Sequence, residues 1–136
     1  MKKIDELRRI KDEIARLRDE QRRLSVPTVV NMGMIYNLYD VFKLVLKQQD
    51  PKSEPTDTTN RKKFLYAILY LCSPQTLVGE VMKHKLREYL AKVIDCTPTC
   101  LSRDYKTALF FYHTYKEFKD SVDDIIENML YVLGEN

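Results

Sequence analysis

Leu90–Tyr105 reads LAKVIDCTPTCLSRDY, and it has the pattern of one helix, a tight turn and a second helix with a doubly marked start. Thr97 followed by Pro98 is that start. A Thr side chain accepts a hydrogen bond from an orphan backbone amide, while Pro fits the first helical position, where no amide is needed. Upstream, Leu86, Leu90, Val93 and Ile94 recur at helical spacing, and Ala91 is small enough for another helix to approach closely. Passing from an apolar helical face to a capped new helix within three residues requires a sharp turn. Asp95 suits that turn, because Asp enters the left-handed backbone region more easily than most non-glycine residues.

The same residues resemble the helix-turn-helix segment of the lactose-repressor family, which typically reads [LIV]-A-x-x-[LIA]-G-[VC]-S-x-x-T-V-S-R. Leu90, Ala91, Ile94, Cys96, Thr97, Leu101, Ser102 and Arg103 stand in that register, and Asp95 stands where Gly is usual. Arg103-Asp104-Tyr105-Lys106-Thr107-Ala108 also resembles, less fully, the R-D-H-T-T-V signature of the DNA-binding domain of bacterial replication initiators. Tyr105 and Lys106 depart from it, and the chain has no nucleotide-binding loop. These resemblances imply double-stranded DNA as the partner and a bacterial, phage or mobile-element regulator as the class.

A groove-reading helix needs donors and small side chains on its exposed first turns. With Leu101, Ala108 and Leu109 facing inward, Thr99, Cys100, Arg103 and Lys106 face outward. Arg103 is suited to a guanine edge or a phosphate and Lys106 to phosphate, while Thr97, Ser102 and the helix N-terminus suit phosphate oxygens. Lys83, Lys85, Lys92 and the Arg61-Lys62-Lys63 cluster extend the expected electrostatic footprint. Net charge over the 136 residues is only +3, but residues 61–119 hold eleven Lys/Arg against five Asp/Glu, and residues 120–136 hold none against five. The basic excess thus sits on the segment with the turn.

Working outward, few Gly and Pro and little strand-like alternation predict an all-α helical bundle around the helix-turn-helix. Residues 1–25 predict a charged coiled-coil helix, with Leu7, Ile14 and Gln21 at one seam position and Ile10, Leu17 and Leu24 at the other. Such a seam predicts a homodimer, although packing against the chain's own domain would use the same face. Residues 26–49 predict an amphipathic helix and 50–60, with two Pro among Ser, Thr and Asp, a linker. The remaining 61–136 form the expected helix-turn-helix domain, with motif helices from about Glu80 to Ile94 and from Pro98 to about Lys119. Ser121 and Asp124 resemble a capping box that opens a last helix.

The chain lacks 18 consecutive apolar residues and begins with a charged rather than signal-like stretch, so a cytoplasmic protein that avoids the membrane is expected. Three cysteines, an odd number, argue against a disulfide framework. Cys96 and Cys100 with His84 or His113 make a poor zinc pattern, because structural sites need a second ligand pair at comparable spacing. No nucleophile pairs with either His, and Asp123, Asp124 and Glu127 suit the first turns of a helix better than catalysis. Neither enzyme activity nor a cofactor or metal is expected. The rival to DNA binding is a non-catalytic assembly factor that uses the coiled coil and the aromatic helix around Phe110 to contact proteins.

Overall fold

The computed structural model describes residues 1–134 and is all-helical, with six α-helices and no strand among them. They are α1 Lys2–Leu24, α2 Met34–Gln49, α3 Thr58–Cys72, α4 His84–Val93, α5 Pro98–Thr114 and α6 Lys116–Val132, with a 3₁₀ turn over Pro74–Val78 between α3 and α4. No helix among the described residues is long and apolar enough to cross a membrane.

α3 is the central rod. Phe64 to Leu69 and Leu71 are buried without interruption, which the near-continuous apolar run FLYAIL dictates. α2, α5 and α6 pack around it, and α4 closes one side against α2 and α5. Phe42 of α2 meets Phe64 at 5.2 Å between ring centroids, and Tyr39 meets Phe64 edge-on at 4.9 Å. Across the molecule Tyr66 stacks on Tyr112 at 4.0 Å, and the Tyr112 hydroxyl donates to Asp123 at 2.6 Å. These rings tie α3 to α2, α5 and α6, so the bundle has one core.

The expected linker at 50–60 joins two helices that share that single core. The apolar face of α2, formed by Ile35, Leu38, Phe42, Val45 and Leu46, lies in the same core as α3 and is covered by α6 as well. Burying such a face requires other helices, and α6 supplies one. At the end of α2, Gln49 donates to the Ser121 carbonyl at 3.1 Å and to Asp124 at 3.0 Å. The intervening loop is tied down at its end. Asp57 caps α3 by accepting from the Thr59 and Asn60 amides, and the buried Asn60 side chain donates to the Glu54 carbonyl at 2.9 Å.

Two further boundaries differ from expectation. The first motif helix begins at His84 rather than Glu80, with Met82 buried in the extended segment before it. The second ends at Thr114, because Tyr115 is extended (φ −111°, ψ 114°), and α6 begins at Lys116 rather than at Ser121. Phe111 and Phe118 meet edge-on at 5.5 Å across this break, and Phe118 is buried. A straight continuation would carry α6 away from the core, so burying Phe118 and Val122 favours the bend. Ser121 sits within α6, where its hydroxyl donates to the Gln49 side chain at 2.5 Å instead of capping.

α1 differs from the rest. It has no buried residue and contributes none to the core. Its seam residues Leu7, Ile10, Ile14, Leu17 and Leu24 are all exposed.

Candidate functional site

The turn between α4 and α5 is built by backbone bonds that the sequence makes possible. Asp95 adopts φ 54°, the one positive φ at a non-glycine residue among those described. This left-handed residue lets the Cys96 amide reach back to the Ala91 carbonyl at 2.9 Å and the Asp95 amide to Lys92 at 3.3 Å, which satisfies the last carbonyls of α4. Thr97 is extended, and its hydroxyl accepts from the Cys100 amide at 3.1 Å, with Pro98 as the first residue of α5. Thr97→Ala should therefore cost about 1 kcal/mol of unfolding free energy, measured by chemical denaturation. A change below a few tenths of that would show that the cap contributes nothing.

Glycine stands at the position of Asp95 in the resembling family, and the observed φ explains why either residue fits. Asp95→Gly is expected to relieve left-handed strain while adding freedom to the unfolded chain, for a net gain of about 0.5 kcal/mol. A loss of stability in the same denaturation experiment would mean that the Asp side chain itself supports the turn.

Leu86, Leu90, Ala91, Val93 and Ile94 hold α4 to the core, and Leu101 and Ala108 hold α5. The opposite side of α5 carries an exposed stripe of Thr99, Arg103, Lys106, Phe110 and His113. Neither Arg103 nor Lys106 has an ion-pair partner among the described residues. Thr97 is exposed beside them and Ser102 is half-buried at the edge of the stripe. On and before α4, Lys83, Lys85 and Lys92 are exposed, whereas His84 pairs with Glu88 at 3.0 Å.

Four expected site residues are placed otherwise. Asp104, 6% exposed, points inward from α5 and is held by Arg61 at 2.8 Å and Lys62 at 3.9 Å, both largely buried side chains of α3. Lys62 also lies over the Phe111 ring at 5.9 Å. Cys100 turns toward this pair, its Sγ 3.7 Å from Asp104 and 3.8 Å from Arg61. Lys63 is half-buried, and burial pulls its ammonium below the ordinary lysine range against the opposing influence of Asp57 and Asp50. A carboxylate removed from water needs compensating cations, and this requirement turns the head of the Arg61-Lys62-Lys63 cluster inward. Arg61, Lys62 and Cys100 therefore turn toward Asp104, and Lys63 stays half-buried without contacting it.

That Asp104 faces inward was legible in principle, though the identity of its partner was not. Asp104 stands at helical spacing between Leu101 and Ala108, both inward, so an inward carboxylate called for a buried cation. Cys96 is packed beside the Arg61–Asp104 pair, and burial pushes its thiol up to about 11, so it stays protonated at neutral pH. No group of three or more His, Cys, Asp or Glu that could hold a metal gathers among the described residues.

The class defined by this arrangement is an all-helical bundle that presents one polar helix face beside a tight interhelical turn. No protein-family model, curated protein or solved structure matches the chain.

Proposed function

We propose that the chain binds double-stranded DNA through α4, the turn and α5, as a regulator of bacterial, phage or mobile-element type. The observation that carries the reading is the exposed, unpaired set Thr99, Arg103 and Lys106 on the first turns of a helix whose start is capped by Thr97. The outer side of those turns is exposed, and an α-helix is narrow enough to enter a major groove. Arg103 reads a guanine edge or grips a phosphate, and Lys106, Thr97 and Ser102 contact the backbone. Lys83, Lys85 and Lys92 extend the contact along the duplex.

Five exposed cations set the salt dependence. At about 0.9 counterions released per phosphate contact, the slope of log affinity against log salt should approach about −4.5 per chain. Fluorescence anisotropy with a mixed-sequence duplex over a salt series tests this. A slope near zero, or no binding at low salt, would contradict the proposal. As a homodimer the protein would address two half-sites about 34 Å apart, or a multiple of that.

The second reading, a protein assembly factor, is favoured by the far end of the α5 stripe. Phe110 and Tyr115 are 58% and 51% exposed and meet edge-on at 6.2 Å, an apolar patch for which DNA contact has no use. This reading assigns a protein-contact role to that end of the helix and to α1.

A further inference from the structure

The exposed seam of α1 is flanked by charges in a definite order. With Leu7, Ile14 and Gln21 at the a positions and Ile10, Leu17 and Leu24 at d, the g positions are Glu6, Glu13 and Glu20, and the e positions along the seam include Lys11 and Arg18. One edge of the seam is thus acidic throughout and the other basic over its middle. In a parallel, in-register pair, each g residue faces the e residue five places further along the other helix. Glu6 then meets Lys11 and Glu13 meets Arg18, and two-fold symmetry makes each pair occur twice. In an antiparallel pair g meets g and e meets e, so Glu faces Glu and Lys faces Arg.

We infer that α1 pairs with α1 of a second copy as a parallel, in-register, two-stranded coiled coil. This builds on the homodimer reading above and is independent of DNA binding. The occupant is a second copy because the seam is complementary to itself: a wholly basic or wholly acidic helix would match one flank and be repelled by the other. Three further observations support it. Glu6, Lys11 and Arg18 have no ion-pair partner among the described residues, so they are available across an interface. Glu13 is held by Arg16 at 2.6 Å within the helix, a fully exposed contact that can be shared or exchanged. A shallow groove beside the seam is lined by Leu7, Ile10, Lys11, Ile14, Ala15 and Arg18, and the first four of these are the residues that form the hole for Ile10 of an in-register parallel partner.

Gln21 adds to the register. In the parallel pairing it lies opposite Gln21 of the second copy, where the two side-chain amides can hydrogen-bond to each other, whereas a slipped or antiparallel pairing sets it against an aliphatic side chain. The parallel arrangement also has a consequence for the bundles. Both leave the coil at the same end, so the two α5 stripes belong to one two-fold assembly rather than to opposite ends of a rod.

Sedimentation equilibrium of the full chain, with disulfide trapping of a Leu24→Cys variant, tests the pairing. The expected result is a reversible dimer, with oxidation giving a bond between the two residues 24, mapped by peptide mass and absent from the oxidised wild type. An antiparallel pair sets these residues at opposite ends, roughly 30 Å apart at 1.5 Å per residue, so a dimer that fails to trap overturns the orientation. A monomer at several hundred micromolar, or a dimer that survives deletion of residues 1–25, overturns the interface. Glu6→Lys with Glu13→Lys should weaken dimerisation by about tenfold or more, and adding Lys11→Glu with Arg18→Glu should restore it. Weakening without restoration would show that the charges do not face each other. All these positions are exposed, so unchanged thermal unfolding of the bundle confirms that the variants fold. No DNA enters the experiment, so it can fail while the DNA reading stands, and the reverse.

Discussion

Arg103→Ala is expected to cost about 1 to 3 kcal/mol of duplex affinity, roughly a fivefold to 150-fold rise in Kd, where the side chain reads a base edge. Lys106→Ala should cost less and act differently. It should weaken binding to all sequences about equally and reduce the salt slope by about one unit, as expected of a phosphate contact. Both side chains are exposed and lack intramolecular partners, so neither change should lower the thermal midpoint. Anisotropy titrations of the two variants at fixed salt check the affinities, and calorimetry checks the fold. Undiminished binding by the double variant would move the contact away from α5 altogether. The complementary control is Arg61→Ala, which removes a cation of the same segment that faces Asp104 rather than solvent. Any effect of that change on binding should follow its effect on folding.

Asp104→Ala should produce the largest loss of stability, about 3 kcal/mol. Removing the carboxylate leaves Arg61 and the largely buried Lys62 with no counter-charge in a poorly hydrated site, and that uncompensated desolvation dominates over the lost Coulomb attraction. The figure is at the lower end of the range for buried pairs because Arg61 retains some solvent contact. Replacing Asp104 and Arg61 by apolar residues of similar volume, Asp104→Leu with Arg61→Met, should recover part of the loss, since the desolvation cost of those two charges disappears while Lys62 keeps its own. Urea denaturation of the two variants measures both effects. A loss below 1 kcal/mol for Asp104→Ala would mean that the pair behaves as a surface contact. The pair bears on the proposed DNA contact because it fastens the first turns of α5 to α3 and so sets which residues of α5 face outward.

Local chemistry made much of this arrangement readable in advance. The start of α5 follows from Thr97-Pro98 and the sharp bend from Asp95. The buried character of α3 follows from a run of apolar residues too long to leave exposed. What escaped reading depends on partners distant in sequence. The break at Tyr115 carries no Gly or Pro and is favoured by the burial of Phe118. Residues 50–60 look like a boundary by composition, yet α2 on one side and α3 on the other share a core through Phe42 and Phe64, a contact that no local pattern displays. The site was legible on its exposed half, where Thr99, Arg103 and Lys106 fall on one helical stripe. Its hidden half, the recruitment of Arg61 and Lys62 by Asp104, required knowing that α3 lies against α5. A run of basic residues reads alike whether it faces water or a buried carboxylate.

The central claim is that a duplex contacts the first turns of α5, and backbone amide shift mapping on a ¹⁵N-labelled full chain titrated with a mixed-sequence duplex tests it most directly. Shifts are predicted to concentrate on residues 97–107, with smaller ones at Lys83, Lys85 and Lys92 and little change in α2. Shifts confined to α1 or to the Phe110–Tyr115 patch, with 97–107 unmoved, would contradict the account.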